Sequence, residues 1–192
     1  VWLEDGLWDS ERSFTLDAPV LAFGRHVRDT RTALIPDPAF MESRGYLQDF
    51  AEISEFEKDL PWSIKKPTAF WRGAASGLGI ESVEWTITPR GRLVLQAKEI
   101  NNPTKIDAKL TRLGHLDAAQ QEIMKSHGVV AEPVDFNEFL KYRYQIDADG
   151  YCCAWKSLLL KLVTKGVLLK LQSEYEQWYH WDLIPWKHYV PL

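Results

Sequence analysis

The sequence predicts an α/β fold built on parallel strands, and one stretch carries most of that expectation. Residues 141–170 (KYRYQIDADGYCCAWKSLLLKLVTKGVLLK) read as strand, tight turn, helix, strand. Tyr142, Tyr144 and Ile146 alternate with Arg143 and Gln145, the period-two pattern of a strand. Asp147, Asp149 and Gly150 are turn residues, and Gly150 is expected to supply the backbone freedom of a sharp reversal. Trp155, Leu158, Leu159 and Leu162 recur at helical spacing, with Gly166 closing the helix. Residues 167–171 form the short apolar run that buried parallel strands use. A helix that begins just past the carboxyl end of a strand aims free N–H groups at the crevice beyond it, which favours an anion there. A plain βαβ unit without a ligand fits the same pattern, and the pattern leaves both readings open.

The other elements follow in chain order. Val1–Leu3 reads as the end of a strand that delivers Glu4 and Asp5 into the loop at residues 6–9. A carboxylate at a strand end is where α/β proteins place chemistry, and it is also an ordinary surface acid. Short strands are expected at residues 19–24 and 32–36, and residues 36–38 (Pro-Asp-Pro) turn the chain. Residues 50–60 are acidic and weakly helical, and Pro61 ends them. Lys65-Lys66-Pro67 reads as a linker or hinge before the next strand, residues 68–72. That strand runs into Gly73, Gly77 and Gly79, which evoke a phosphate-cradling loop, with the forked donors of Arg72 beside it. The spacing is not that of the dinucleotide fingerprint, and no acidic residue follows at the distance a ribose contact requires, which disfavours a nicotinamide-dependent enzyme. A helix is expected from Arg92 to Ile100, broken by residues 101–103, and a short element begins at Ile106. Residues 129–139 read as a connection into the central strand. His115 and His127 stand apart from acids at ligand spacing and read as structural or surface residues. The aromatic-rich segments at 175–179 and 183–189 are assigned to core packing.

Composition bounds the function. The chain has 192 residues, 45% hydrophobic and 26% charged, enough for one or two domains with real cores. A net charge of -4 argues against a general nucleic-acid binder, whose affinity rests on clustered Lys and Arg. No apolar run approaches the roughly 20 residues of a membrane span, so no transmembrane segment is expected. Cys152 and Cys153 are adjacent, offering neither a disulfide framework nor metal-ligand spacing, and a reducing compartment is the mild preference. Both ends read as cut, since the chain starts without Met and stops without a closing element.

An ordered set of motifs resembles glycosyltransferase family 90, which includes the protein O-glucosyltransferases, capsule xylosyltransferases and lipopolysaccharide-modifying enzymes. The set comprises residues 19–24 and 34–37, 69–73 (AFWRG), Pro103 with 106–108, 141–144 (KYRY), 147–150 (DADG), 168–170, Trp178 and 183–191 (LIPWKHYVP). The helix 155–161 and residues 174–179 look most like the bacterial branch. The resemblance implies a GT-B architecture of two Rossmann-like domains, of which residues 1–65 would end the acceptor-side domain and 66–192 form most of the nucleotide-sugar-binding domain. It implies a transferase moving a sugar from a UDP-sugar to a hydroxyl of a glycan or protein acceptor, inverting and without a metal. A non-catalytic nucleotide- or sugar-binding module that kept the fold is the alternative.

Matched residue by residue, Asp5 would be the base that takes the acceptor proton. Arg92 would contact the diphosphate, with Arg72, Gly73 and Ala74 beside it. Asp149, Gly150, Tyr151, Cys152, Cys153, Ala154, Trp155 and Lys156 would hold the donor, with Lys156 or Lys161 replacing an arginine of relatives as a point charge. Asp147 and Asp149 form a D-x-D pair. A metal clamp is rejected for it, because one of the two side chains is expected to point into the sheet if the strand runs on to Ala148, and a turn-forming, helix-capping Asp149 is the simpler role. The cysteine usage favours a bacterial cytoplasm or the inner membrane face over a secretory lumen; a eukaryotic source would mean the lumen.

Overall fold

The structure is a computed structural model that describes residues 2–4, 20–77, 83–114 and 116–192. Its centre is a five-stranded parallel sheet made of β5 (Lys66–Gly73), β6 (Ile106–Leu110), β7 (Tyr142–Asp147), β8 (Val167–Lys170) and β10 (Val190–Pro191). The spatial order is β10-β8-β7-β5-β6, so the first strand of the sheet lies between the second and the third. The connection after β5 runs to the β6 edge and the one after β7 runs toward the opposite edge, so the crevice beyond the carboxyl ends of β5 and β7 is the topological switch point where such sheets bind ligands.

Alternation along the strands loads both faces. Trp71, Ala108, Leu110 and Ile146 pack with Leu93, Val94 and Ala97 of α3 (Pro89–Ile100) and with Met124 of α4 (Ala118–Ser126). On the other face Phe70 meets Tyr142 and Phe139 of α5 (Phe136–Leu140), and Leu168 meets Leu158 of α6 (Trp155–Leu162). Helix α3 starts three residues earlier than expected, because Thr88 caps it by accepting from the Gly91 N–H (3.0 Å) and Pro89 suits the first helical position. It ends at Asn101 in the left-handed conformation (φ 49°). Helix α4 is unexpected. A capping box between Asp117 and Gln120 sets its start, in a stretch whose apolar pattern is too sparse to advertise a helix.

A second, smaller sheet pairs β1 (Trp2–Glu4), β2 (Val20–Ala22) and β4 (Ala33–Leu34), all parallel. Helices α1 (Pro38–Glu42) and α2 (Leu47–Phe56) follow it. The two sheets are stitched together by β3 (Arg25–His26), antiparallel to β9 (Tyr175–Glu176), and by a 2.8 Å ion pair between Arg25 and Glu176.

Two expectations are corrected here. Residues 65–67 are no hinge: Lys66 and Pro67 already belong to β5, while Lys65 is sealed in an ion pair with Glu57 and donates to the Leu140 carbonyl (2.5 Å). Glu57 also accepts from the Lys165 N–H (2.8 Å), so this junction is among the most buried polar points of the chain. The aromatic tail is only partly core. Tyr179 is buried, but Trp181 and Trp186 are 65% and 77% exposed.

Candidate functional site

At the switch point lies a cavity of about 290 Å³. The carboxyl end of β5 supplies Arg72, Gly73 and Ala74; the end of β6 supplies Arg112; α6 supplies Ser157 and Lys161. Phe136 and Phe139 of α5 give it an aromatic wall, and Arg90 of α3 closes its floor. Among the described residues, four cations, Arg72, Arg90, Arg112 and Lys161, thus line the cavity, and no carboxylate does.

Each cation is held differently. Arg72 is fixed by a 2.8 Å ion pair with Asp107, and its guanidinium lies over the Phe70 ring at 4.5 Å. Lys161 makes a 2.8 Å ion pair with Asp147, both side chains nearly inaccessible, and the second oxygen of Asp147 has no hydrogen-bond partner among the described residues. Arg90 is a clamp. It donates to the carbonyls of Ala74 (2.9 Å) and Asp149 (3.0 Å) and to the Ser76 hydroxyl (2.6 Å), so one planar fork ties the loop after β5 to the loop after β7. Desolvation lowers its pKa, against the pull of Asp147 and then Asp149. Arg112 is exposed and makes no side-chain hydrogen bond or ion pair among the described residues.

The turn after β7 is pinned rather than flexible. Asp149 accepts from the Ala154 N–H (3.2 Å) and from the Ser173 hydroxyl, which fixes the entry to α6 without reaching its first free N–H groups. Burial pushes its carboxyl up to about 6. Gly150 is required for a reason other than the expected one. Its φ is not left-handed; a Cβ there would lie 2.6 Å from the Ser76 hydroxyl and 3.2 Å from Arg90, so close approach of the two loops selects glycine. Cys152 and Cys153 are buried, with sulfurs 3.7 Å apart, and Cys152 packs where any side chain at Gly24 would sit. Tyr151 packs against the main core, Ala154 is buried and Trp155 is half-buried.

The expected residues therefore divide. Arg72, Gly73, Ala74 and Lys161 come together in the cavity, with Asp149 and Gly150 directly behind it. The structure does not bring Arg92 there: it is exposed, on a separate groove with Gln96, Gln172 and Glu174. Lys156 points the other way, to a 2.7 Å ion pair with Asp49 and to the Tyr46 ring. Asp147 and Asp149 face different partners, and no group of three or more His, Cys, Asp or Glu among the described residues could hold a metal ion. His127 packs edge-on against Trp85. Asp5 and His115 lie outside the described residues.

Residues 19–192 match the family described as glycosyl transferase family 90. The chain belongs to that family. Among relatives, it is 34% identical to protein O-glucosyltransferase 3 of Rattus norvegicus over 169 residues, covering 85% of this chain and 30% of the relative. The Homo sapiens protein of the same name is 30% identical over the same shares. O-glucosyltransferase rumi of Drosophila melanogaster is 26% identical over 133 residues, 69% of this chain and 28% of that protein. The chain thus spans about 30% of the length of the curated relatives it matches. Within the family 90 chain, Arg90 and Arg112 are site residues that the sequence reading missed. An arginine two positions from an expected one, and another just past a short strand, carry no local signal of where they point.

Proposed function

We propose that the protein carries the nucleotide-sugar-binding part of a glycosyltransferase that moves a sugar from a UDP-type donor to a hydroxyl of a protein or glycan acceptor. The observation that carries this reading is the cavity at the switch point, lined by Arg72, Arg90, Arg112 and Lys161 and, among the described residues, by no carboxylate. A leaving nucleoside diphosphate gathers negative charge in the transition state, and preorganised cations in a partly enclosed site stabilise it. The aromatic wall of Phe136 and Phe139 suits a nucleobase. The names of the relatives, O-glucosyltransferases, support a hydroxyl acceptor on protein.

In this reading the chain follows a GT-B plan, with residues 1–65 closing an acceptor-side domain and 66–192 forming the donor domain. Asp5 takes the acceptor proton while that oxygen displaces the diphosphate from the anomeric carbon, inverting it. Cationic side chains meet the diphosphate's charge, which makes a metal unnecessary. No helix among the described residues is long and apolar enough to cross a membrane.

The test is turnover by the protein with a panel of UDP-sugars, with and without chelator, beside Asp5→Asn. Chelator-resistant UDP release that disappears in the variant is expected. UDP binding without release from any donor would instead identify a binding module.

A further inference from the structure

A second cavity, of about 360 Å³, opens at the carboxyl end of β8 beside β9 and β10, lined among others by Lys170, Ser173, Tyr175, His180, Tyr189 and Leu192. It shares no lining residue with the first. Lys170 ends β8 and is 8% exposed, yet among the described residues its ammonium makes no hydrogen bond and no ion pair. The Asp149 carboxyl feels this charge from beyond ion-pair distance, but a desolvated ammonium with no hydrogen bond is costly and remains an attachment point for an opposite charge.

The carboxylates around it have other partners, apart from one oxygen of Asp147. Asp147 is paired with Lys161, Asp149 accepts from Ser173 and Ala154, and Glu176 is held by Arg25 and by the indole N–H of Trp181 (3.0 Å). The hydroxyls of Tyr175 and Tyr189 also make no hydrogen bond among the described residues. These three donors, and the buried His180 Nε2 that likewise lacks a partner among the described residues, surround one cavity, with the rings of the same tyrosines, Pro191 and Leu192 as its apolar wall. The imidazole of His180, kept neutral by burial and by Lys170, adds no competing charge.

We propose that this cavity is a second ligand site, for a sugar-sized body that carries an oxyanion. The oxyanion meets the Lys170 ammonium through charge-assisted hydrogen bonds, and the sugar ring lies against the tyrosines. A phosphate ester and a carboxylate present the same chemistry to the ammonium. The inference does not depend on what fills the first cavity.

Calorimetric titration with glucose 1-phosphate, glucuronate and glucose, each with and without saturating UDP, separates the possibilities. One of the two anionic sugars is expected to bind equally well in both conditions, and which one binds distinguishes a phosphate ester from a carboxylate. Neutral glucose is expected not to bind detectably, and Lys170→Gln to weaken the anionic sugar about tenfold or more. Competition with UDP, binding of glucose as tight as its anionic forms, or no binding of either anionic sugar would overturn the proposal. So would wild-type affinity in Lys170→Gln. If that variant does not fold, the competition arm decides on the wild-type protein. If UDP itself does not bind, the titrations without it test this cavity alone, so the two readings fail separately.

Discussion

Lys161 and Asp147 form an ion pair at 2.8 Å in which neither side chain is more than 3% exposed, and one oxygen of Asp147 has no partner among the described residues. This pair stands directly behind the cavity at the ends of β5 and β7, one charge on the strand and its counter-charge on the helix that follows. Removing one partner strands the other in a desolvated setting, which costs about 3–5 kcal/mol. Lys161→Met is therefore expected to lower unfolding free energy by that order in urea denaturation. Adding Asp147→Asn should recover most of the loss, since the stranded charge goes with it; additive losses would contradict the account.

Arg90 and Arg92 give a contrasting pair two residues apart on α3. Arg90→Lys keeps the charge but cannot bridge both loops, so UDP affinity should fall about tenfold, the worth of roughly one charged hydrogen bond. Arg92→Ala removes an exposed side chain on another groove and should leave UDP affinity within twofold. Isothermal titration of both variants decides. The reverse ranking would return the diphosphate contact to Arg92.

How much of this was legible in the sequence follows from what each signal measures. The βαβ unit at 141–170 is visible because alternation and helical spacing are local, and β7, α6 and β8 form where the pattern puts them. The family motifs likewise locate Arg72–Ala74 at a strand end that the structure places on the cavity. Side-chain direction was not legible. Lys156 and Lys161 sit on one helix five residues apart, and only packing sends one outward to Asp49 and the other inward to Asp147. Lys65 looked like part of a hinge because a buried partner contributed from eight residues away leaves no mark on local composition.

Gly91 tests the packing under the clamp. In a helix alanine is favoured over glycine by roughly 1 kcal/mol. At Gly91 a Cβ would lie 2.0 Å from the Trp85 carbonyl oxygen, which is backbone and cannot step aside cheaply. Gly91→Ala is expected to destabilise by about 1–3 kcal/mol in thermal or urea unfolding. A gain in stability would mean that the turn before α3 yields freely.

Asp149 predicts a pH dependence. Burial raises its carboxyl from the ordinary 3.8 to about 6, outweighing the opposing pull of Lys170 and Ser173. The folded protein therefore holds this proton more tightly than the unfolded chain. Its contribution to stability is full below about pH 4 and is lost as pH rises through 6, a change on the order of 3 kcal/mol. Urea midpoints of the wild type, measured from pH 4 to 7, should fall relative to those of Asp149→Asn. Parallel curves would contradict the assignment.

The central claim is that the cation-lined cavity at the ends of β5, β6 and β7 holds a nucleoside diphosphate. Arg112 offers the cleanest probe, being exposed and free of side-chain partners among the described residues, so that its loss leaves the fold alone. The measurement is UDP binding to wild type and Arg112→Ala by calorimetry at two salt concentrations. The account predicts that wild type binds UDP, that the variant binds about tenfold more weakly, and that salt weakens wild type more than the variant. UDP binding that is absent from wild type, or unchanged in the variant, would contradict it.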